Sequence, residues 1–324
     1  MGPPPSDRDR TRASPTGARG PRRPVIPEGT NWGAALLFLA PAGLLLLVLV
    51  VYPTVYTILL SFTRGRQGLL TQWVGLQNYD RLLTKNPDFL NLSTFPPSGA
   101  LWNNLLWIVF YVSVVVFLGL IIAVIASRVR YEAIVKAIVF LPMAIAATAL
   151  AVIWKFIYSP DASQGLLNAI LGAVGVAPIS WLGDQGLVNA SLIAAGIWGS
   201  VGFATVILSA ALKGIPTEII EAARVDGATE RHIFVRIIVP MVSLPMSVLA
   251  VTLVVNVIKI FDLIFVMTRG GPGTASRVIA YTMYQEAFES GQYGFGSAVA
   301  VVMLLLLIPI MIFNVRRFRT QAVT

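Results

Sequence analysis

The sequence predicts an all-α, polytopic membrane protein with six transmembrane helices, and three features lead there. Only 12% of its 324 residues are charged and 56% are apolar, whereas a soluble domain is about a quarter charged. The apolar residues fall in runs, several of them reaching the ~20 residues that a bilayer core requires. Lys and Arg then collect on alternate connections between those runs, the pattern that sets the orientation of membrane proteins.

The first thirty residues, rich in Pro, Gly, Ser and Arg, cannot bury enough apolar surface to fold. They predict a disordered cytoplasmic tail at 1–30, ahead of a transmembrane domain at 31–324. The apolar run that follows is too long for a signal peptide and lacks a small-residue cleavage site, so it is expected to remain as the first span. Hydropathy places the spans at Ala34–Phe62, Leu101–Ser127, Ala133–Tyr158, Leu187–Leu212, Ser243–Met267 and Phe295–Val315. Pro41, Pro53, Pro142, Pro245 and Pro309 lie in or beside them and are expected to bend helix axes. Sixteen Lys and Arg fall on the tail, the 128–136 and 213–236 connections and the C-terminal end; six fall on the alternate segments. Positive residues stay inside, so both termini are expected in the cytoplasm. The net charge of +9 is thereby explained by topology, and no nucleic acid is expected as a partner. The absence of cysteine excludes disulfides and thiolate metal sites. A single histidine leaves little for a His-based centre, so no metal site is expected.

Residues 63–100 form the longest external connection. Trp73, Tyr79, Phe89 and Phe95 there predict an ordered cap rather than a bare linker. Within 159–186, the stretch GLLNAILGAVGV predicts a short interfacial or re-entrant helix.

The most polar connection, 213–240, contains EAARVDGATERHIFVRIIVP. Pro216 suits a first helical turn, and Glu218 and Glu221 suit the positive end of the helix dipole. Ile219, Ile220, Ala222, Ala223 and Val225 are expected to share a broad apolar face. Gly227 can take the left-handed conformation that ends a helix. Asp226 could cap the next helix, from Ala228. The expected device is helix, sharp turn, helix at the cytoplasmic surface.

That stretch resembles the EAA motif of permease subunits of binding-protein-dependent ABC importers. The segments FLAPAGLLLLVLVVYPTVYTILLSFT, WVGLQNYDRLL, LPMAIAATALAVIWKFIYSPDASQGLLNAIL and VMTRGGPGTASRVIAYTMYQEAF resemble the sugar-importing branch in the same order. The resemblance covers roughly Leu36 to Arg319, and within the maltose, trehalose and alpha-glucoside group it is greatest to alpha-glucoside permeases. It implies the type I importer permease fold, in the cytoplasmic membrane of a prokaryote. It implies partners: a second permease subunit, two cytoplasmic ABC ATPase subunits and an external sugar-binding protein, with membrane lipid around the spans. It implies that 213–240 is the coupling loop, with Glu221 meeting the ATPase, Ala222 and Ala223 in close contact, and Asp226 and Gly227 at the turn. No cofactor is expected in this chain, because no phosphate-cradling G-x-x-x-x-G-K-[ST] loop occurs; ATP and Mg would be bound by the partner ATPase. No catalytic set is expected either, since no carboxylates pair as acid and base.

A sugar needs hydrogen-bonding groups and aromatic faces in an apolar pocket, and polar residues inside a membrane mark functional sites. The fifth span supplies Asn256, Lys259 and Asp262. Spacing on one helix would put Lys259 and Asp262 on a shared face, where they either pair with each other or meet the sugar. Trp198, Ser200 and Thr205 come from the fourth span, Trp154 and Lys155 from the third. Asn256 and Trp198 are the preferred sugar contacts. Trp154 and Lys155 also fit interface anchors. The expected function is therefore ATP-driven import of an alpha-glucoside or other di- or oligosaccharide. The alternatives are a permease for glycerol 3-phosphate or another small polar solute, and an ion-coupled carrier with Lys259 and Asp262 as its relay.

Overall fold

The computed structural model describes residues 32–65 and 68–321; the tail expected at 1–30 lies outside them. Residues up to Pro53 group as one compact unit and those from Thr54 as another. Among the described residues there are helices, turns and isolated bridges, and no strand. Four helices are long and apolar enough to cross a membrane: α1 (Ala35–Ser61), α2 (Ala100–Ala126), α6 (Val188–Leu212) and the stretch Tyr293–Asn314 of α12 (Tyr293–Gln321). They match the expected first, second, fourth and sixth spans to within a few residues. Pro41 and Pro309 sit inside continuous helices.

The other two spans are broken. The expected third span is α3 (Glu132–Ala144) and α4 (Ala147–Ile157), bent by 97°. Pro142 lacks the N–H that would bond the Ile138 carbonyl. The chain tightens into a 3₁₀ turn over Leu141–Ala144 and passes through extended backbone at Ala146 (φ −56°, ψ 139°). After the helix α5 (Leu166–Ala173) and α6 comes α7 (Thr217–Val225). Then α8 (Glu230–Met241) meets α9 (Ser243–Ile258) at 68°. Here Pro245 sits in the first turn of α9 and denies a partner to the Met241 carbonyl.

The expected fifth span also ends early. Helix α9 stops at Ile258, and α10 (Asp262–Met267) starts anew after Phe261 (φ −135°, ψ −60°). No glycine or proline marks this break, and distant side chains hold it instead. Asn104 of α2 donates from Nδ2 to the Val257 carbonyl (3.0 Å), and its Oδ1 accepts from the Ile279 N–H (2.8 Å). The Phe261 ring packs against Phe265 (5.1 Å) and Tyr284 (5.0 Å). Beside Asn104, Asn103 donates to the Arg277 carbonyl and accepts from Asn189, which also donates to the Ala275 carbonyl. These asparagines fasten the Gly-Gly-Pro segment and the start of α11 (Ile279–Tyr284) to α2 and α6.

The connections sort onto two sides. Arg128 pairs with Glu230 and Lys213 with Glu132, which joins the 127–132 and 213–230 segments. Arg277 pairs with Asp88, and Arg81 donates to Gln292, which joins 63–100 to 268–294. Alternate connections therefore meet one another, as successive crossings demand. Within 63–100, Trp73 stacks on Phe62, Tyr79 bonds Ser61 and Phe89 is fully buried, while Phe95 stands free in solvent.

Helix α6 runs through the centre of this packing, and its glycines set the distances. A Cβ on Gly119 of α2 would lie 2.5 Å from Ala204 Cβ. One on Gly202 would lie 2.3 Å from the Val139 carbonyl oxygen, so α6 touches the backbone of the α3 corner directly. Overpacking such a contact costs about 1–3 kcal/mol. Gly202→Ala is therefore expected to lower the detergent melting temperature of the protein. Gly172→Ala, at a position on α5 with open space around it, is expected to leave it unchanged or raised.

Candidate functional site

Two polar constructions stand out on this frame. The first is the loop at α7 and α8. Pro216 lies just before α7, and Asp226 ends it (φ −71°, ψ 0°). Gly227 takes φ +81°. Its N–H reaches the Arg224 carbonyl (3.0 Å), and the Ala228 N–H reaches the Ala223 carbonyl (2.9 Å). This pair of bonds is the Schellman closure of a helix C-terminus. The cap of the next helix is a correction to the sequence reading: Asp226 belongs to the end of α7, and it is the Thr229 hydroxyl that accepts from the His232 N–H (3.3 Å). Glu230 then binds Arg224 and Arg128, one on each carboxylate oxygen.

The expected single apolar face of α7 is divided. Ile220 and Ala223 pack toward the bundle core. Glu218, Glu221, Ala222 and Val225 form an exposed row, with Val225 89% accessible. The two alanines therefore differ: Ala222 is available to another surface, and Ala223 seats the helix on its own bundle.

The second construction is a cleft of about 420 Å³ where the two broken spans face each other. Asn256, Lys259 and Asp262 line it from the α9–α10 break, and Pro142 and Ile145 from the α3–α4 corner. Ser200, Gly196 and Gly199 line it from α6, and Tyr111 from α2. The Tyr111 hydroxyl donates to Ser200 Oγ (2.7 Å). A Cβ on Gly196 would lie 3.0 Å from the Trp107 ring, so a glycine there lets both Trp107 and Tyr111 approach.

Four of the sequence-predicted residues, Ser200, Asn256, Lys259 and Asp262, thus share one cleft, but by a different geometry. Lys259 and Asp262 do not occupy one helical face, because the helix breaks between them. No ion pair joins them, and among the described residues neither has an ion-pair partner. Asn256, Lys259 and Asp262 are all exposed in the isolated chain. An ion relay through the pair has no support in this arrangement. Trp198 is not part of this cleft; its ring meets Trp154 edge-on at 5.8 Å. Thr205 is fully buried and bonds back to the Val201 carbonyl, a packing role. Tyr111, Asn103 and Asn104 were not singled out by the sequence reading, although two adjacent amides within an apolar run were the available signal.

Short helices that break around a polar cleft, with an exposed polar loop on one side, are features that transport proteins use. Residues 115–318 match the family of binding-protein-dependent transport system inner membrane components, and the chain belongs to that family. It is a multi-pass inner-membrane transport component, not an enzyme. The osmoprotective compounds uptake permease protein GgtC of Synechocystis sp. is 47% identical, over 88% of this chain and 99% of that protein. The alpha-glucoside transport system permease protein AglF of Rhizobium meliloti is 42% identical, over 86% and 81%. A crystal structure of a bacterial ABC transporter that imports alginate contains a chain with the same fold. The two align with a TM-score of 0.74 at 22% identity, over 89% of this chain and 96% of that one.

The unpaired state of the two charges is testable. Losing one partner of a buried ion pair typically costs about 3–5 kcal/mol. Lys259→Met and Asp262→Asn are instead expected to leave thermal stability close to that of the parent protein. At the loop, Gly227→Ala is expected to destabilise the turn by about 1–2 kcal/mol through its left-handed φ. Faster amide exchange at residues 223–229, with α9 unaffected, is the measurement.

Proposed function

We propose that this chain is the membrane half of an ATP-driven importer for a neutral alpha-glucoside or a similar small glycoside, with the cleft at the two helix breaks as its inner solute site. The observation that carries the reading is the cleft itself. Asn256 and Ser200 offer amide and hydroxyl groups, and Lys259 and Asp262 offer charge-assisted bonds not consumed by each other. A hydroxyl-rich solute suits such a mixture of donors and acceptors. The net charge of the pair is zero, which favours a neutral solute over a phosphorylated one. The names of the GgtC and AglF relatives point the same way.

The exposed row on α7 is the surface offered to a cytoplasmic ATPase subunit, with Glu221 and Ala222 in contact. Asp226 and Gly227 set the angle at which α8 leaves. ATP and Mg are held by that partner, a second permease completes the pathway, and an external binding protein delivers the solute. The excess of Lys and Arg on these segments supports a cytoplasmic side for this loop and both termini. Nucleotide binding by the partner favours one of two states of the cleft, outward- or inward-open, and transport follows from that difference in binding.

In the reconstituted complex, Glu221→Ala with Gly227→Ala is expected to abolish ATP-driven uptake of maltose while the subunits still co-purify. Uptake at the parental rate would overturn the coupling assignment. Asn256→Ala is expected to slow uptake with the complex intact; a parental rate would remove Asn256 from the site.

A further inference from the structure

The geometry points to a second sugar site, at the mouth of the pathway and separate from the cleft at the helix breaks. It rests on the proposed reading of the chain as a glycoside permease. A cleft of about 670 Å³ lies between the end of α4, the 159–183 connection and the end of α10. Its size is that of a small-molecule pocket, about 300–1,000 Å³. Tyr158 and Trp181 line it, with the polar side chains of Lys155, Gln164 and Ser180.

The aromatic lining is held from behind. The Tyr158 hydroxyl donates to the Ser191 carbonyl (2.9 Å), and the Trp181 indole N–H donates to Asn168 Oδ1 (3.3 Å). Asn168 is fully buried and also bonds the Ile179 N–H and the carbonyls of Ser159 and Ile179. Both rings therefore spend their polar ends on the protein and are fixed in place. Tyr158 is buried and backs the site, while the half-buried Trp181 ring is left to pack against a ligand beside the nearby polar groups.

Those polar groups are uncommitted. Neither the Lys155 ammonium, the Gln164 amide nor the Ser180 hydroxyl makes a hydrogen bond or ion pair among the described residues. One cation without a second does not make an anion site, and three free polar heads do not suit a lipid tail.

The rings also form a continuous series. Trp181 lies 5.9 Å from Tyr158, Tyr158 lies 5.1 Å from Trp154, and Trp154 lies 5.8 Å from Trp198 on α6. This four-ring series connects Trp198 by packing to the outer site, which Lys155 lines directly.

The test uses the assembled complex of this chain with its partner permease and ATPase, without binding protein. Saturation-transfer NMR with maltose reads direct contact. The parental complex and an Asn256→Ala variant are both expected to transfer saturation to maltose. Lys155→Ala combined with Gln164→Ala, which removes no contact within the fold, is expected to weaken it about fivefold, the loss of one net hydrogen bond. Trp181→Phe, which keeps a ring in place, is expected to retain more signal than Trp181→Ala. No transfer in the parental complex, or equal transfer in the double variant, would overturn the outer site. ATP-driven maltose uptake with the binding protein present is measured alongside. Uptake without outer-site binding removes this inference alone, and absence of uptake by every combination removes the proposed function itself.

Discussion

A backbone carbonyl or N–H released inside a membrane has no water to turn to, and every irregular feature of this chain depends on meeting that demand from within the protein. Asn104 meets it at the most exacting point. One amide satisfies both the end of α9 and the start of α11. Without it, the break after Ile258 would leave unpaired groups at a cost of about 1–3 kcal/mol each, and an unbroken helix would be preferred. Asn168 plays the same part for the 159–183 connection. Asn104 and Asn168, which hold these segments, are thus buried, while Asn256, Lys259 and Asp262 of the inner cleft are exposed.

This division orders the molecule. Glycines on α6 bring helices into backbone contact, asparagines close the open ends, and Lys259 and Asp262 of the inner cleft have no ion-pair partner among the described residues. On the opposite side the same logic appears at α7. Ile220 and Ala223 fix the helix to the bundle, the Schellman turn fixes its end, and the outer row is left exposed. Glu230 joins the turn to the 128 segment, so the loop is tied to the end of α2 as well as to α8.

Much of this was legible in the sequence. The apolar runs located the spans because length and hydropathy decide them, and the glycine of the EAA stretch was read correctly as a left-handed turn. Pro142 announced a bend, though not one of 97°. The break at Lys259 was not legible, since its causes lie in Asn104 and Tyr284, which are distant in sequence. For the same reason the spacing of Lys259 and Asp262 suggested a pair that does not form: helical periodicity holds only while the helix does. The assignment of the second cap to Asp226 failed on a local competition, because once Asp226 closes α7 the next free side chain, Thr229, takes the role.

The bent spans carry a consequence for the barrier itself. At 1.5 Å per residue, α3 reaches roughly 20 Å and α4 roughly 16 Å, against a hydrocarbon thickness of about 30 Å. Set at 97° to each other, they cannot add their lengths along one axis. The wall they form beside the inner cleft is therefore shorter than the summed length of its two helices. At that corner Pro142 and Ile145 meet the cleft as a turn rather than as the side of a straight helix.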